Sequence, residues 1–462
     1  MNRAAATIEV DVLVAGGGNA GLCAALSAAD EGASVMLVDR SPRWRRGGNT
    51  RHTRDIRYAH AEGDAMAQAP YPQDVFFADL AGVGEIPDLE LAELLVAESQ
   101  SLPSWMEAHG VRWQGPLRGS LHLDTNRFPL GGGTAMLNAY YRHAERAGVE
   151  VVYGTSAGDL RISSGRCTEL TLSDAAGACG IAVKAVVVAS GGLEANLSWL
   201  QRTWGGRAQS FIVRGTPDND GSLLLELLEQ GAAAAGSDLF HAVAVDARAP
   251  KFDGGIVTRV DTIPFGIAVN RNAERFYDEG EDAWPKRYAQ WGQLIARQPG
   301  QIAYSIFDAR AQGHYIPPLF PPLQASTLDE LAALLDLDVP TFVETVTSYN
   351  RAVDDSRPFD HTRLDGRTAP GLDPQRSNWA RALDCPPFCA YPVRPGLTFT
   401  YAGVKVDPSS RVQRSGGGSF KNVFAAGEAM AGNILTAGYL AGVGLTIGSV
   451  FGRIAGREAA HV

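Results

Sequence analysis

The sequence is poor in cysteine, and the spacing of its cysteines excludes several kinds of site. The five cysteines, in a chain of 462 residues, form no CxxC pair and no Cys/His cluster at the spacing of zinc, haem or iron–sulfur ligands. We therefore predict that the chain has no metal site. Their odd number does not indicate a disulfide framework, so the sequence favours a reducing, cytoplasmic location.

Positive charge is also in deficit. Lysine and arginine number 41 against 51 acidic residues, a net charge of −10, which argues against nucleic acid or an anionic membrane as partner of the whole molecule. Residues 431–452 form the one uncharged stretch of membrane-spanning length, but six glycines and Asn433 make it a poor lipid-facing segment. We interpret it as a buried helix. The N-terminus leads almost directly into an apolar strand, so export is not expected.

What is present begins with a βαβ pattern near the N-terminus. Residues 8–14 predict a buried strand, residues 20–30 an Ala-rich helix and residues 34–39 a second strand. Apolar runs at 148–160 and 184–192 predict later strands of the same sheet.

The turn of this βαβ unit carries Gly16, Gly18 and Gly21 in the spacing G-x-G-x-x-G. Such glycines let a pyrophosphate approach the backbone N–H groups at a helix N-terminus, where the helix dipole favours anions. Asp39 closes the second strand 23 residues after the first glycine, near the distance expected for the acid that binds a ribose hydroxyl. The pattern predicts a dinucleotide site, and a purely structural turn is the alternative.

Residues 422–433 repeat the sequence of strand, small residues and glycine near the C-terminus. Pieces of one nucleotide site therefore come from both ends of the chain, and the middle must be an insertion. At 462 residues the chain is long enough for two domains. We predict that residues 1–241 and 381–462 form the nucleotide-binding domain and that residues 242–380 form the inserted domain, in which Thr327 starts a helix.

The acidic chain concentrates positive charge in one place. The stretch GGNTRHTRDIR, residues 47–57, puts two glycines directly before Arg51, His52 and Arg54, and four further arginines precede it. Glycines admit a ligand to the backbone, and guanidinium groups bind carboxylates or phosphates through paired N–H donors. Two hypotheses follow: contact with a carboxylate substrate, or contact with the phosphates of the dinucleotide itself.

The order of these motifs resembles the flavoprotein superfamily of fumarate reductase and succinate dehydrogenase. The motifs that carry the resemblance are VAGGGNAG, GGNT, VVVASGG, DNDGS, VNRNAERFYDE, AAGE and the Gly-rich C-terminal segment, which span nearly the whole chain. Longer strings such as GGNTRHTR, RFYDEGEDAWPKRYAQWGQ and LTFTYAGVKVD are similar to those of tricarballylate dehydrogenases and related CobZ-like proteins. The resemblance implies an α/β fold: a Rossmann-like FAD-binding domain of the glutathione-reductase type with an inserted α+β capping domain.

The resemblance also implies FAD as the cofactor. In members with covalent flavin, the attached His sits where this chain has Asn49, so non-covalent FAD is expected. By the same resemblance Asp39 contacts the adenosine ribose and Glu428 the ribityl chain. The cofactor-binding residues predicted in this way are Gly16, Gly17, Gly18, Asn19, Ala20, Gly21, Asp39, Arg40, Gly47, Gly48, Asn49, Thr50, Ser156, Ala157, Ser190, Gly191, Asp220, Gly427, Glu428, Thr446 and Ile447.

The substrate residues of the superfamily are only partly present. Fumarate reductases place a His and an Arg that grip a substrate carboxylate where this chain has Phe399 and Tyr439. We therefore expect the positive charge to come from Arg51, His52 and Arg54, directly after the turn that should touch the flavin.

Four further residues are substrate candidates, and each has a structural alternative. Arg287 stands near the position of the family's proton-carrying Arg, or else pairs with its acidic neighbours at the surface. His241 lies near the family's substrate-binding His, or else is a core histidine. Arg259 aligns with a substrate-contacting Thr-Glu pair, or else faces solvent. Tyr439 offers its hydroxyl to a carboxylate, or else packs in the core.

The resemblance, together with the basic stretch, implies an FAD-dependent dehydrogenase that oxidises a saturated tricarboxylate, tricarballylate, to its alkene, cis-aconitate, by hydride transfer to flavin N5 and proton abstraction. The alternatives are an alkene reductase, a dehydrogenase of another substrate, a CobZ-like role and a non-catalytic flavin-binding subunit. The expected partners are a small polycarboxylate substrate and a separate iron–sulfur electron-transfer protein. Attachment to the inner face of a membrane through that partner is left open.

Overall fold

The computed structural model describes residues 8–116, 124–255 and 257–462. The first seven residues, on which the expectation about export rests in part, lie outside these ranges. The strands, in chain order, are β1 Ile8–Ala15, β2 Val35–Asp39, β3 Ile56–Arg57, β4 Trp113–Gln114, β5 Asn126–Pro129, β6 Glu150–Tyr153, β7 Ser156–Ser163, β8 Arg166–Asp174, β9 Gly177–Val188, β10 Ile212–Val213, β11 Ala234–Ala235, β12 Phe240–Asp246, β13 Ile267–Asn270, β14 Ala303–Asp308, β15 Leu323–Ala325, β16 Phe388–Thr400, β17 Gly403–Val404, β18 Arg411–Gln413 and β19 Ser419–Ala425. The helices are α1 Asn19–Asp30, α2 Gln73–Gly82, α3 Leu89–Ser99, α4 Leu102–Ala108, α5 Gly132–Arg146, α6 Leu197–Trp204, α7 Ser222–Glu229, α8 Trp284–Arg287, α9 Trp291–Ala296, α10 Leu328–Leu334, α11 Val339–Ala352 and α12 Val443–Ala460.

The larger sheet has a parallel centre in which the strand order is β19-β9-β1-β2-β6. Residues 12–15 of β1 and all of β2 are buried on both faces, as expected for a parallel sheet that is covered on both sides. The antiparallel strands β7 and β8 extend the sheet from β9, and β18 pairs with β19. The predicted βαβ unit and the predicted later strands are thus confirmed as parts of one sheet.

Helix α1 follows β1 and packs along α12. The approach is close because α12 presents glycines: a Cβ added at Gly456 would lie 2.8 Å from the carbonyl carbon of Ala24. Helix α12 is buried over most of its length, which confirms the interpretation of the glycine-rich stretch as a buried helix, although the helix begins only at Val443. Within the described ranges, no helix combines the length and apolar character that crossing a membrane requires.

A second, smaller sheet and its helices form the capping unit. Strand β16 is its centre, because β10, β12, β14 and β15 all pair with it, and β13 pairs with β14. Phe342, Val346 and Tyr349 of α11 share one buried apolar cluster with residues of this sheet. Helix α10 begins after the predicted N-cap Thr327, whose hydroxyl accepts from the Glu330 N–H in a capping box. The predicted α+β capping unit is therefore present.

The second sheet takes strands from both sides of the predicted insertion. Strand β12 begins at Phe240 and β16 ends at Thr400, whereas the predicted insertion covers residues 242–380, a boundary that stays a prediction. The end of β16 meets the larger sheet, where Asn49 Nδ2 donates to the Thr398 carbonyl at 3.1 Å. The Thr400 N–H donates to Glu428. The candidate site lies at this junction.

Candidate functional site

A groove with an empty volume of about 1280 Å³ lies where the parallel strands end. This edge is where open α/β sheets bind ligands. The lining comes from the whole length of the chain, namely residues 15–20, 38–41, 48–50, 52–53, 155–157, 189–191, 218–223, 398–399 and 427–428, with Thr216, Tyr439, Gly444, Leu445 and Gly448.

The three glycines of the first turn have separate physical roles. Gly16 has a φ of 116°, in the left-handed region, and a Cβ on it would overlap the Ala189 carbonyl oxygen. A Cβ on Gly21 would overlap the carbonyl oxygen of Gly16. At Gly18 the nearest atom to a Cβ would be Thr50 Oγ1 at 3.4 Å, so the backbone there stays open to the groove. Because α1 begins without a side-chain cap at Gly18, its N-terminus is available to a phosphate.

Asp39 fixes the second glycine turn to strand β2. Its Oδ2 accepts from the Gly47 N–H at 3.0 Å and from the Tyr141 hydroxyl at 3.2 Å, and its Oδ1 accepts from the Ser41 N–H at 2.9 Å. Burial raises the pKa of this carboxyl group. A carboxylate offers about four acceptor positions, so one remains for a ribose hydroxyl.

Most residues predicted to bind the cofactor line the groove. These are Gly16, Gly17, Gly18, Asn19, Ala20, Asp39, Arg40, Gly48, Asn49, Thr50, Ser156, Ala157, Ser190, Gly191, Asp220, Gly427 and Glu428. Gly21 and Gly47 are not among the lining residues, and they support the two turns instead.

Thr446 and Ile447 are also absent from the lining, and both are buried. The reason is that α12 begins at Val443, so Thr446 lies inside its first turn, where its hydroxyl donates to the Gly442 carbonyl at 3.1 Å. The α12 residues that face the groove are Gly444, Leu445 and Gly448.

Two observations fit an FAD held without a covalent bond. Ser190 Oγ is buried at the groove and has no hydrogen-bond partner among the described residues, a cost that a ligand's polar group would relieve. Asn49 uses its amide within the protein, because its Oδ1 accepts from the Thr216 N–H at 3.2 Å while its Nδ2 donates to Thr398. An amide is not a nucleophile, so this position offers no attachment point for flavin.

Three of the arginines that precede residues 47–57 are held by contacts within the protein, although Arg40 also lines the groove. Arg40 lies 2.7 Å from Asp220, and Arg45 lies 3.1 Å from Asp218. Arg46 donates to the Tyr153 hydroxyl at 2.8 Å. The ion pairs of Arg40 and Arg45 connect this part of the chain to the turn before α7.

Three more cations of the stretch are also held by the protein or exposed. Arg51 lies 3.6 Å from Asp253, and Arg57 donates to the Ala441 carbonyl at 2.9 Å. Arg43 is largely exposed, 3.8 Å from Glu145. Of the three residues predicted to bind substrate, namely Arg51, His52 and Arg54, Arg51 therefore has a charge that a carboxylate balances.

His52 and Arg54 belong to a buried group of nitrogen donors, which we call the basic cluster: His52, Arg54, Arg214, His241 and Arg259. His52 lines the groove. Arg54 Nη1 is buried without a hydrogen-bond partner among the described residues, and so are both ring nitrogens of His241, one of which donates in the neutral ring. Arg259 Nη2 lies 2.6 Å from an Asp261 oxygen, and His52 Nε2 lies 3.6 Å from an Asp253 oxygen. Since unpaired buried donors are costly, their convergence indicates a site for an anion.

The charges of the basic cluster are only partly balanced. Arg259 donates its Nε–H to Asp261 Oδ1 at 2.7 Å, so this pair is neutral overall. Burial lowers the pKa of Arg54, and the neighbouring Arg259 lowers it further. Burial likewise lowers the pKa of Arg214 to about 9, with Arg259 adding to the effect. Both guanidinium groups remain protonated near pH 7.

The two histidines of the cluster are neutral near pH 7. Burial and, after it, the charges of Arg214 and Arg51 lower the pKa of His52 to about 4. Burial, followed by Arg214 and Arg259, holds the pKa of His241 well below its usual range. The positive charge of the cluster therefore comes from its arginines.

Aromatic rings close the other side of the cluster. The His241 ring stacks on Tyr439 with centroids 4.0 Å apart, and Arg259 lies 4.0 Å from the centroid of the Tyr288 ring. Tyr439 lines the groove beside Phe399, but its hydroxyl already accepts from the Gly444 N–H at 3.0 Å. Burial raises the pKa of Tyr288 to about 12, so this residue is a neutral hydroxyl near pH 7.

Arg287 lies apart from the basic cluster. Its Nε is 3.4 Å from Glu281 and 3.8 Å from Asp282, and the residue does not line the groove. Arg287 thus lies beside its acidic neighbours, which is the arrangement expected if it has a structural role. Its role as proton carrier stays a prediction.

Sequence reasoning missed Arg214 and Glu194. Arg214 stands next to Gly215, where a Cβ would overlap Asn49 Oδ1, so the glycine was the available signal of a close approach. Glu194 follows the Ser190-Gly191-Gly192 turn, is fully buried and accepts from Asn49 Nδ2. No pattern in the sequence indicates that this carboxyl group is buried. Within the described residues, no group of three or more His, Cys, Asp or Glu side chains could hold a metal ion.

Comparison with known proteins identifies relatives over the whole chain. The family model described as FAD binding domain matches residues 11–445. The chain is 26% identical over 487 residues to NADH:fumarate oxidoreductase of Klebsiella pneumoniae, covering 99% of this chain and 48% of that protein. It is 27% identical over 475 residues to fumarate reductase (cytochrome) of Shewanella frigidimarina, covering 98% of this chain and 77% of that protein. The chain thus spans about half the length of the Klebsiella relative.

Solved structures share the fold. The open conformation of a flavocytochrome c3 fumarate reductase superimposes with a TM-score of 0.77 at 23% identity, covering 99% of this chain and 79% of that one. A 3-ketosteroid delta1-dehydrogenase from Sterolibacterium denitrificans superimposes with a TM-score of 0.78 at 18% identity, covering 98% of this chain and 100% of that one. The predicted fold, a Rossmann-like FAD-binding domain with a capping domain, is confirmed.

Proposed function

The chain belongs to the family of FAD binding domains, and on that premise we propose that it is a flavin-dependent oxidoreductase acting on a CH–CH bond of a polycarboxylate. More specifically, we propose that it oxidises tricarballylate to cis-aconitate. The observation that supports the polycarboxylate is the basic cluster, where buried donors without partners lie at the end of the groove lined by His52 and Tyr439.

Removing hydrogen from two adjacent carbons of a polycarboxylate requires a hydride acceptor and a proton acceptor. Bound FAD would supply the hydride acceptor. Neighbouring carboxylates oppose the negative charge that develops on carbon as the proton leaves. Arg54 would neutralise them, and Arg259, whose charge Asp261 balances, would add N–H donors; both act in a site from which water is largely excluded, where such interactions are strong.

Arg259 is held in place by the protein. Asp261 accepts from the Arg259 Nε–H at 2.7 Å and from the Trp284 indole N–H at 2.9 Å, so the carboxylate is fixed from two sides. Since Asp261 also lies 2.6 Å from Nη2, the guanidinium is held along one edge and keeps Nη1 in a fixed plane, from which it can donate to a substrate carboxylate.

The proton acceptor is proposed among the arginines: the acting guanidinium must first release its own proton to solvent, which burial favours at Arg54 by lowering its pKa, and it regains its charge when it takes the proton from the substrate carbon. For Arg287 to act, its side chain must leave Glu281 and Asp282, whereas Arg54 is already in the cluster without a hydrogen-bond partner at Nη1 among the described residues. We expect R54A to abolish turnover with FAD retained and R287A to keep measurable turnover. Loss of turnover in R287A but not in R54A would assign the role of proton acceptor to Arg287.

A second candidate function keeps the same site and reverses the reaction. The relatives include a fumarate reductase (cytochrome), an NADH:acrylate oxidoreductase of Vibrio harveyi and a urocanate reductase of Eggerthella lenta, all named for unsaturated acids. An alkene reductase, a dehydrogenase of another substrate and a CobZ-like role all require the basic cluster. A non-catalytic flavin-binding subunit, the remaining candidate, does not.

The electron partner is proposed from the family resemblance. The relatives' names pair fumarate with NADH, a cytochrome or quinol. For this chain we propose a separate iron–sulfur protein that takes the electrons from the reduced flavin, which would bring the chain to the inner face of a membrane through that partner.

The direct test mixes the FAD-loaded protein with tricarballylate without oxygen. We expect the visible absorbance of the flavin to bleach and a dye acceptor to be reduced, with activity at least about tenfold lower in R54Q because one charge-assisted hydrogen bond is lost. The matched control is R43Q, since the Arg43 side chain is largely exposed and does not belong to the basic cluster. No bleaching with tricarballylate, but oxidation of dithionite-reduced protein by fumarate or aconitate, would favour the reductase.

A further inference from the structure

Arg214 is a buried guanidinium that none of the sequence patterns singled out. It follows strand β10, and its N–H donates to the Leu397 carbonyl at 2.8 Å. Its Nε donates to the Gly255 carbonyl at 3.1 Å and its Nη1 to Thr398 Oγ1 at 2.9 Å. Only 4% of its surface is exposed.

The position of this guanidinium is fixed relative to the groove. A Cβ at Gly396 would come within 3.2 Å of Arg214 Cδ, so strand β16 packs directly against the side chain. The next residues are pinned to the Asn49 turn, because the Thr216 N–H donates to Asn49 Oδ1. Thr398, which accepts from Arg214, itself lines the groove. Arg214 therefore stands directly behind the groove wall near His52.

The charge of Arg214 is not balanced by the protein. Its hydrogen bonds among the described residues go to a carbonyl and a hydroxyl, both neutral. The nearby acids are already engaged: Asp261 with Arg259, and Asp253 with Arg51. Asp55 accepts from Asn126, and burial raises its pKa, so it is a poor counter-ion. A buried charge without a counter-ion is expensive unless a ligand supplies one.

Arg214 lies close to the pair of arginines that the proposed reaction uses, since the charges of Arg259 and Arg54 lower its pKa, but other groups anchor it. Arg259 lies over the Tyr288 ring, whereas Arg214 is anchored to Thr398 and to Gly255, and a Cβ at Gly255 would overlap His52 Nδ1. His52 is a neutral donor beside it. The two positions, Arg54 with Arg259 and Arg214 with His52, give the site two anion-binding ends.

Resting on the proposed function, we propose that Arg214 and His52 form a subsite for the carboxylate that a tricarboxylate has and a dicarboxylate lacks. The reacting carbons and their carboxylates would then lie toward Arg54 and Arg259. Arg214 is in this view a specificity-determining residue: it selects three-carboxylate acids over succinate- or fumarate-like acids and takes no part in the hydrogen transfer.

The test compares two acids that differ by one carboxylate-bearing arm. FAD-loaded protein is first reduced with dithionite, so that neither saturated acid can transfer a hydride, and binding of tricarballylate and of succinate is measured by calorimetry without oxygen. We expect the wild-type protein to bind tricarballylate at least about tenfold more tightly than succinate, because of one more charge-assisted contact. In R214Q this ratio should fall to about one, with succinate binding unchanged within about twofold.

Two further variants keep the result interpretable if R214Q does not fold. R214K retains the charge but not the planar donors, so it should recover part of the ratio. T398V removes the hydroxyl that orients Arg214 and should lower the ratio without removing charge. R43Q is the control for loss of an arginine outside the cluster and should leave the ratio unchanged.

The outcomes separate this inference from the proposed function. The specificity role is overturned if R214Q weakens the binding of both acids equally. It is also overturned if the ratio of the two affinities is preserved in R214Q, R214K and T398V. Either result leaves the proposed function standing. Wild-type protein that binds neither acid overturns the proposed function and this inference with it. A ratio that collapses in R214Q while R54Q weakens both acids supports the two-ended site.

Discussion

Two buried carboxyl groups, Glu194 and Glu428, show how much a single residue's surroundings decide. Glu428 accepts from the Thr400 N–H and from the Thr400 hydroxyl, and a Cβ at Gly192 would overlap it. Glu194 accepts from Asn49, while its Oε2 is buried without a donor among the described residues. Burial and the charge of Glu428 both oppose ionisation of Glu194, so the two carboxyl groups are not charged together near neutral pH.

Burial raises the pKa of Glu428 to about 7. Burial and the charge of Glu428 hold the pKa of Glu194 well above its usual range. Between the unperturbed value of 4.5 and about 7, the folded protein therefore binds more protons at Glu428 than the unfolded chain does. The free energy of unfolding must fall as the pH rises through this window.

The substitution E194Q tests this coupling at the scale of one residue. The amide cannot titrate, so the contribution of Glu194, whose own pKa is raised, disappears, and we expect the loss of stability between about pH 5 and pH 7 to shrink by roughly 1–3 kcal/mol. Urea unfolding at the two pH values measures it. The exposed Glu229 provides the control variant E229Q, and an unchanged pH dependence in E194Q would show that the pair is not coupled.

At the scale of elements, the contact between α1 and α12 positions the helix N-terminus that faces the groove. A Cβ at Gly456 would overlap the Ala24 carbonyl oxygen, and one at Gly452 would lie 3.0 Å from Cys23 Cβ. Glycine on α12 therefore lets the two backbones approach, and α1 carries Gly18 and Asn19 to the groove.

We expect G456A to destabilise the protein by roughly 1–3 kcal/mol, because the helices must separate to admit the methyl group. FAD should bind more weakly in the same variant, since the N-terminus of α1 moves with the helix. Thermal unfolding and FAD titration measure the two effects. Gly82 ends α2 and a Cβ there would meet nothing within 4 Å, so G82A is the matched control and should be neutral or slightly stabilising. Equal effects of the two changes would contradict the close-packing argument.

At the scale of the whole molecule, the groove connects parts of the chain that are far apart in sequence. Its lining runs from Ala15 to Gly448 and includes both sheets, through Val38 and Thr398. A ligand that fills it binds the folded chain and has no comparable site in the unfolded one, so its binding free energy adds to stability.

FAD should therefore raise the unfolding temperature of the whole protein in one transition. At a free concentration of about 1,000 times its Kd, the expected stabilisation is about 4 kcal/mol. Calorimetry of the apoprotein with increasing FAD measures it, and FMN, which lacks the adenosine half, should stabilise less because residues 155–157 and Asp39 are not engaged. An unfolding temperature that does not respond to FAD would contradict the placement of the cofactor.

At the scale of the whole molecule, the net charge and the local charge at the site have opposite signs. The molecule carries a net charge of −10, yet it buries Arg54, Arg214 and Arg259 together. The net charge governs solubility and non-specific contacts, whereas the buried arginines act over a few ångströms in a medium of low dielectric. The acidic composition is therefore compatible with an anionic substrate.

The sequence alone determined the features that depend on near neighbours in the chain. Gly16, Gly18 and Gly21 predicted the first turn because backbone freedom at a turn is local, and Asp39 marked the end of β2. Apolar runs predicted the strands of the larger sheet, and Thr327 marked the start of α10 because a helix cap involves only the next three residues.

Only the tertiary structure decided which charged groups are free to meet a ligand. The arginines of residues 40–57 look alike in the sequence, but Arg40, Arg45 and Arg51 are balanced by acids from distant segments, whereas Arg54 is buried without such balance. Arg214 joins the cluster because β10 pairs with β16, more than 180 residues away. Burial and the pairing of charges depend on every segment that packs around a group, and that information is not contained in any short stretch of the chain.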